Sequence, residues 1–265
     1  MKTITKIRLL NSLKLFNPLR SLYYRLQILD PKILAFYRRF IKKNDLCFDI
    51  GANVGRKTDI FLKLGARVIA VEPQPECIHF LQKKYRFQKM VTVVGKAADS
   101  DIGKKDIYLS EVNSLSSLSL DWIKSTQLSG RYDGITWGKQ IKVETTTLDE
   151  LIKIYGQPHF CKIDVEGYEL SVLKGLTRSI ATISFELAPE SISMIESCIL
   201  YLSFLGRARF NLSAGEDSRK FNYEHWMTRQ EMIEKIRSLP ETARYGEIYA
   251  SFSNPNALYS REASL

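Results

Sequence analysis

The sequence has few metal-binding side chains of the softer kinds and lacks a long apolar run. Its 265 residues include four cysteines and three histidines, without a CxxC pair or two histidines at metal-ligand spacing. We therefore predict reduced cysteines, no zinc site and no other metal site. No segment approaches the roughly 20 apolar residues of a membrane-spanning helix. The N-terminus also lacks the apolar segment of a secretory signal, so we expect a cytoplasmic protein.

Two common nucleotide-binding motifs are also missing. No GxxxxGK[ST] sequence occurs, which excludes a P-loop. The dinucleotide motif G-x-G-x-x-G is replaced by G-x-N-x-G at residues 51–55, and Arg56 stands at the sixth position. An arginine there would crowd a pyrophosphate at the start of the following helix.

Charge is strongly unbalanced, with a formal net charge of +10. This balance favours acidic partners: phosphorylated or carboxylated substrates, an anionic membrane surface, or nucleic acid. The first 43 residues carry eleven basic residues and a single acid, Asp30. We treat residues 1–43 as a basic helical N-terminal extension, because apolar residues recur there at helical spacing.

The extension has one clear helix start and two interpretations. Asp30 followed by Pro31 predicts a helix whose apolar face is formed by Ile33, Leu34, Tyr37, Phe40 and Ile41. These helices either pack over one edge of the domain with their basic face in water, or bind anionic lipid or a phosphate-bearing acceptor. Nucleic acid is the less favoured partner, because no aromatic-interleaved basic motif is visible.

Strands and helices alternate from residue 46 onward. This pattern predicts an α/β domain over residues 44–254, with a largely parallel sheet covered by helices on both faces, and a C-terminal tail over residues 255–265. Residues 104–145 break the alternation. Two polar-alternating runs there, 106–109 and 141–145, predict a β-ribbon insertion or a long loop near the site.

The most informative segment is Leu46–Gly55, an apolar strand that leads into Asp49 and a glycine turn. Glycines at such a turn let main chain approach a bound cofactor. Glu72 ends the next apolar strand, 21 positions after Gly51, where a carboxylate can accept hydrogen bonds from a ribose diol. An acid before the turn disfavours a diphosphate. It suits S-adenosylmethionine, whose ammonium and sulfonium are positively charged.

A second group of acids follows the strand that starts at Phe160. Asp164 and Glu166 stand at the end of this strand, before Gly167 and a further acid, Glu169. Ligands of open α/β sheets bind beyond the carboxyl ends of the strands, so Asp49 and Asp164 are expected to border one crevice. The alternative is that these carboxylates cap the following helix, an interpretation that is at least as good for Glu169.

These motifs together resemble the FkbM family of S-adenosylmethionine-dependent methyltransferases. The similarity lies mainly in D-I-G-A-N-V-G at 49–55 and K-I-D-V-E-G-Y-E at 162–169, and it covers about residues 45–190. It implies a class I methyltransferase Rossmann-like fold with a seven-stranded, mostly parallel sheet ordered 3-2-1-4-5-7-6. It also implies O-methylation, commonly of sugar or polyketide hydroxyls.

On this basis we predict an O-methyltransferase that acts on a hydroxyl of a sugar, glycan or glycolipid. The predicted catalytic residues are Asp164 and Glu166. The predicted S-adenosylmethionine site consists of Asp49, Gly51, Asn53, Gly55, Glu72, Pro73, Ala97 and Ala98. Two alternatives stay open: an RNA methyltransferase, and a membrane-docking module that binds the cofactor without catalysis. The RNA alternative lacks the N-P-P-Y type of motif that accompanies amino methylation.

Overall fold

The computed structural model describes residues 30–214, 220–240 and 245–253. In this part of the chain the strands are β1 (Leu46–Ile50), β2 (Arg67–Val71), β3 (Val91–Val94), β4 (Ala97–Ala98), β5 (Lys104–Leu109), β6 (Lys139–Thr146), β7 (Phe160–Ile163), β8 (Thr182–Leu187), β9 (Arg209–Ala214) and β10 (Gly246–Ser251). The helices are α1 (Pro31–Arg38), α2 (Arg56–Lys63), α3 (Pro75–Tyr85), α4 (Leu120–Leu128), α5 (Leu148–Tyr155), α6 (Glu169–Lys174), α7 (Ile192–Leu205) and α8 (Arg229–Ser238).

The central sheet has seven strands in the order β3-β2-β1-β7-β8-β10-β9. Its strands run parallel except β10, which is antiparallel to both β8 and β9. When these seven strands alone are numbered along the chain, the order becomes 3-2-1-4-5-7-6. The predicted class I methyltransferase fold is therefore confirmed. Strands β1 and β7 are buried along their whole length, because helices cover both faces of the sheet.

Several helix starts follow from local sequence. The Asp30 carboxylate accepts a hydrogen bond from the backbone N–H of Lys32 at 2.8 Å, as expected of an acid that caps a helix beginning with proline. Thr228 and Glu231 form a reciprocal capping box at the start of α8. The Thr147 hydroxyl accepts from the backbone N–H of Glu150 at 3.0 Å and begins α5.

The insertion between β4 and α5 forms a small sheet of its own. Strands β5 and β6 pair antiparallel, and β4 pairs with β6 in parallel, so the predicted β-ribbon is confirmed. Helix α4 and a short 3₁₀ turn at Asn113–Leu115 were not predicted. Ser119 caps α4, and Trp122 and Ile123 are its main buried side chains. This insertion packs beside the carboxyl edge of the central sheet, next to the candidate site.

The first described helix packs against the domain with its apolar face. Phe36, Tyr37 and Phe40 are buried, and the Phe40 ring stacks on Phe160 and Tyr249 at centroid distances of 5.5 and 5.3 Å. The basic side chains of this helix point to solvent. Residues 1–29 and 254–265, including most of the predicted basic extension and the tail, lie outside the described residues. Of the helices that are described, none is long and apolar enough to cross a bilayer.

Candidate cofactor and acceptor site

A cavity opens at the carboxyl ends of β1, β2 and β7, where the strand order reverses direction between β1 and β7. This is the position at which open α/β sheets bind ligands. The central sheet contributes residues from the ends of three strands, and the β-ribbon insertion closes one side. The residues that line the cavity include Ile50, Gly51, Asn53, Val71, Glu72, Pro73, Gln74, Ala97, Ala98, Ser114, Ser116, Leu118, Asp164, Val165, Glu166 and Tyr168. Six of the eight predicted cofactor residues and both predicted catalytic residues are among them.

The structure gives the two glycines of the turn a steric reason in addition to the predicted approach of a cofactor. A Cβ on Gly51, which has φ +83°, would lie 1.8 Å from the main-chain oxygen of Asp164. A Cβ on Gly55 would lie 2.4 Å from the Tyr85 hydroxyl oxygen. Protein atoms therefore occupy the space that a side chain would need at these positions. Gly55 starts α2 and does not line the cavity, whereas Gly51 does.

Glu72 fixes the glycine turn at residues 51–55 by a hydrogen bond. Its Oε2 accepts a hydrogen bond from the Asn53 backbone N–H, and its Oε1 accepts one from that of Gln74, both at 2.9 Å. Burial raises the pKa of Glu72 to about 7, although these two hydrogen bonds oppose the rise. Each carboxylate oxygen has a second lone pair, so the side chain can still accept from a ribose hydroxyl in the cavity.

Asp49 lies underneath the turn and does not line the cavity. It is 2% exposed, and its Oδ2 accepts a hydrogen bond from the Thr58 hydroxyl at 2.5 Å. Burial raises the pKa of Asp49 to about 6, against the effect of the Thr58 hydrogen bond. This geometry therefore gives Asp49 no direct contact with a cofactor ammonium. The contribution of Asp49 to cofactor binding stays a prediction, and it would be indirect, through the turn that Asp49 supports.

The insertion is joined to the end of β2 through Gln74. The Gln74 amide donates to the main-chain oxygen of Asn113, and its Oε1 accepts from the Ser116 hydroxyl, both at 2.9 Å. Asn113 and Ser114 of the 3₁₀ turn line the same cavity as Pro73 and the β4 alanines, Ala97 and Ala98. The part of the predicted cofactor site at Pro73, Ala97 and Ala98 thus has a wall that the sequence pattern does not reveal.

The first of the two predicted catalytic acids, Asp164, has a side chain that is 39% exposed and lies at the edge of a buried ion network. Its Oδ2 lies 3.1 Å from Lys162 Nζ, which is also 3.5 Å from Glu247 Oε1. Lys57 Nζ lies 2.9 Å from the same Glu247 oxygen and 2.7 Å from the hydroxyl of Tyr37. Burial would lower the pKa of Lys162, but the attraction of Asp164 and Glu247 outweighs it and raises this pKa. Asp164 is therefore held by a charged lysine.

Glu166 has an unusual backbone and an unusual environment. Its φ is +55°, in the left-handed region that a non-glycine residue rarely adopts. Burial, and then repulsion from Glu186 and Asp164, raises the pKa of Glu166 well above its ordinary value. Burial also raises the pKa of Glu186, to about 8. Such groups can hold a proton near neutral pH, which suits proton transfer.

Glu169 has the structural role that the sequence left open for it. It is 1% exposed, and its Oε1 accepts hydrogen bonds from the backbone N–H groups of Val165 and Gly167 at 3.2 and 3.3 Å. This carboxylate therefore fixes the loop that carries Asp164 and Glu166.

Residues 49–237 match the family model described as "Methyltransferase FkbM domain". A curated relative, the hexuronic acid methyltransferase AglP of Haloferax volcanii, is 26% identical over 146 residues. That alignment covers 54% of this chain and 55% of the relative, so the chain spans about half the length of the curated protein it matches.

Two solved structures give weaker similarity. The precorrin-6y C5,15-methyltransferase of Geobacter metallireducens has 10% identity and a TM-score of 0.44, with 83% of this chain and 87% of that chain covered. Aeropyrum pernix fibrillarin, with natively bound S-adenosyl-L-methionine, has 11% identity and a TM-score of 0.40, with 83% and 74% covered. Both scores lie below 0.5, so the strand order identifies the fold and the family model identifies the family. The chain belongs to the FkbM methyltransferase family.

Proposed function

We propose that this enzyme methylates a hydroxyl oxygen of a sugar, glycan or glycolipid. The observation that supports it most is the family membership, combined with a cavity that joins the glycine turn to two acids, Asp164 and Glu166. The partial match to a methyltransferase of hexuronic acid favours a sugar over other hydroxyl compounds. The net charge of +10 favours an acceptor that carries carboxylate or phosphate groups.

In this proposal the cofactor occupies the cavity between β1, β2 and the insertion. Main chain at Gly51 and Asn53 lines the methionine and ribose portion, and Glu72 accepts from the ribose hydroxyls. Adenine lies between Pro73 and the alanines of β4. Gln74 keeps the insertion over this pocket and limits the entry of water.

Catalysis requires alignment of the acceptor oxygen and removal of its proton. S-adenosylmethionine supplies a methyl group on a positively charged sulfur, and transfer of that methyl to oxygen leaves a neutral thioether. Alignment of two reactants can contribute roughly 7–11 kcal/mol. A positioned base contributes about 100- to 10,000-fold. Glu166 is the favoured base, because its pKa is raised and its Oε2 has no hydrogen-bond donor among the described residues.

Cofactor binding is tested by calorimetric titration of the full chain with S-adenosylhomocysteine. We expect one site, with affinity lowered at least tenfold by Glu72→Ala, since this change frees the turn and removes the ribose contact. Glu234→Gln, on the exposed face of α8, is the matched control and should bind as wild type does. A folded wild-type sample that gives no heat with this ligand would refute the cofactor assignment.

Acceptor class is tested with S-adenosylmethionine labelled on the methyl group. The panel contains hexuronic acid glycosides, neutral glycosides, a phosphorylated glycolipid, and bulk tRNA and rRNA. We expect label on an acidic sugar or glycolipid, with kcat reduced 100-fold or more in Glu166→Gln. Label on RNA, with the steep salt dependence of phosphate contacts, would instead establish the RNA alternative.

The membrane alternative concerns mainly residues 1–29, which lie outside the described residues. Flotation of the full chain with anionic vesicles, compared with a chain that starts at residue 30, tests it. Loss of flotation together with unchanged cofactor affinity would separate membrane binding from catalysis.

A further inference from the structure

A lysine lies buried in the middle of the central sheet, two residues before the cavity. Lys162 belongs to β7, which pairs with β1 on one side and with β8 on the other, and it is 1% exposed. Lysine is almost never fully buried unless acids pair with it. Because a buried ion pair seldom adds net stability, the position of Lys162 calls for another explanation.

The contacts of Lys162 lead to one carboxylate that borders the cavity. Lys162 Nζ lies 3.1 Å from Asp164 Oδ2 and 3.5 Å from Glu247 Oε1. Glu247 is buried and does not line the cavity, whereas Asp164 is 39% exposed and does line it. Of the two acids that Lys162 meets, Asp164 is therefore the one that can also reach a ligand.

Asp164 lies directly beside the glycine turn. The Asp164 N–H donates to the Ile50 oxygen at 2.9 Å, and a Cβ on Gly51 would lie 1.8 Å from the main-chain oxygen of Asp164. Under the proposed function this turn lines the methionine portion of the cofactor, which carries an ammonium. Asp49, the acid that the sequence offers for this positive charge, is buried and does not line the cavity. The ammonium therefore needs another acid close to the turn.

We propose that Asp164 binds the ammonium of the cofactor's methionine portion, and that Lys162 is the positioning residue that orients this carboxylate and keeps it ionised. The inference rests on the proposed function, because it assumes the same cofactor pocket. Lys162 holds the Oδ2 atom of Asp164 from inside the sheet, so Oδ1 is left for a ligand in the cavity. An ionised carboxylate that accepts from an ammonium forms a charge-assisted hydrogen bond, roughly twice as strong as a neutral one.

The neighbouring acid Glu166 suits a different task. Its Oε2 is buried and receives no hydrogen bond from any described residue, whereas Asp164 faces Lys162. Burial raises the pKa of Glu166 well above its ordinary value, so this side chain holds a proton more readily. A neutral carboxyl attracts an ammonium less than an ionised one does, but a group that exchanges its proton suits acid–base catalysis. Their surroundings thus give the two acids separate tasks.

Charge balance around Glu247 explains Lys162 less well. Lys57 Nζ already lies 2.9 Å from Glu247 Oε1, closer than Lys162 Nζ at 3.5 Å. A network whose only task was to balance Glu247 would need no second lysine. Lys162 also lies closer to Asp164 than to Glu247. Lys57 and Lys162 therefore share one acid, but only Lys162 also pairs with the acid at the cavity.

The test is calorimetric titration of the full chain with two ligands. S-adenosylhomocysteine carries the ammonium, whereas 5′-methylthioadenosine keeps the adenosine and the thioether but lacks the amino-acid portion. Asp164→Asn and Lys162→Met should each weaken S-adenosylhomocysteine binding roughly tenfold or more and change 5′-methylthioadenosine binding less than about twofold. Retained binding of the second ligand also shows that the variant is folded. The matched control Lys57→Met removes the other lysine on Glu247 and should bind both ligands as wild type does.

A double-mutant cycle then tests whether Lys162 acts through Asp164. In the Asp164→Asn background, Lys162→Met should weaken S-adenosylhomocysteine binding by less than about twofold more, because the carboxylate that Lys162 positions is already gone. Where Lys162→Met alone does not fold, Lys162→Met with Glu247→Gln takes its place, since it removes an acid together with its cation. An equal loss in both backgrounds would mean that Lys162 does not act through Asp164, and would overturn the proposal.

The remaining outcomes separate this inference from the proposed function. Wild type that binds S-adenosylhomocysteine, with the same affinity in Asp164→Asn, overturns the ammonium site and leaves the proposed function intact. Equal weakening of both ligands by Lys162→Met, or equal effects of Lys57→Met and Lys162→Met, would assign the lysine a structural role alone and overturns the inference as well. Folded wild type that binds neither ligand contradicts the proposed function, and this inference with it.

Discussion

Replacement of Gly51 by alanine tests how the two motifs, residues 49–55 and 162–169, are joined. The added Cβ would lie 1.8 Å from the carbonyl oxygen of Asp164 and 2.9 Å from its carbonyl carbon. Neither of these two main-chain segments can easily move away. The Gly51 N–H donates to the Val71 oxygen, and the Asp164 N–H donates to the Ile50 oxygen, both at 2.9 Å. The clash is therefore with main chain that is fixed on both sides.

Three effects add to the cost of Gly51→Ala. The left-handed φ of +83° costs an alanine about 1–2 kcal/mol. Displacement of packed main chain costs about 1–3 kcal/mol, and loss of one of the flanking hydrogen bonds costs about 1 kcal/mol. We expect the free energy of unfolding to fall by about 4 kcal/mol, a large part of the roughly 5–15 kcal/mol of a typical domain.

Urea denaturation of Gly51→Ala and Gly134→Ala separates conformational strain from the clash. Gly134 has a similar φ of +79°, and apart from Gly134 and its two chain neighbours no described residue has an atom within 4 Å of the position that an added Cβ would take there. Its substitution should cost only about 1–2 kcal/mol. Equal losses in the two variants would show that the turn does not press against residue 164, and the argument for a rigid site would fail.

Three further predictions follow from buried polar groups. Lys162→Met should lower the free energy of unfolding, measured by urea denaturation, by about 2–3 kcal/mol, because Glu247 loses one of its two cations. The double variant Lys162→Met with Glu247→Gln should recover part of this loss in the same assay. Burial raises the Glu72 pKa from 4.5 to about 7, so the folded state holds a proton that the unfolded state releases. The contribution of Glu72 to the stability of the wild type is therefore present at low pH and is lost as the pH rises through about 7. Measured by urea denaturation, Glu72→Gln should gain up to about 3 kcal/mol relative to wild type between pH 4.5 and pH 8, and a flat difference would contradict the raised pKa. Gln74→Ala should weaken S-adenosylhomocysteine binding roughly tenfold by calorimetry, since two hydrogen bonds to the insertion are lost.

Much of the fold was predictable because its signals are local. Apolar runs of four to six residues mark the central strands, and Asp30, Thr147 and Thr228 start helices through their own side chains. Strand order was different, because periodicity does not encode which strands are neighbours. It came from the resemblance to a family, and the parallel pairing of β1 with β7 confirms it.

The parts that were missed depend on contacts between distant segments. Helix α4 lies in a stretch without a clear apolar period, and it is fixed by a Ser119 cap and the burial of Trp122. Glu186 is far from Asp164 in sequence, and only the register of β8 against β7 brings their carboxylates together. The signal was available in principle, since adjacent parallel strands end at one edge of a sheet.

The glycine turn shows a contact within the protein that its sequence motif does not reveal. The sequence suggests that small residues make room for a cofactor, whereas at Gly51 the room is filled by the main chain of Asp164. Because Glu72 also fixes Asn53 from the other side, the turn is tied at once to the ends of β2 and β7. Under the proposed function, the methyl donor and the acids that face the acceptor would then be held by one connected piece of main chain. A site built this way needs little rearrangement to align its reactants, which is what methyl transfer requires of the protein.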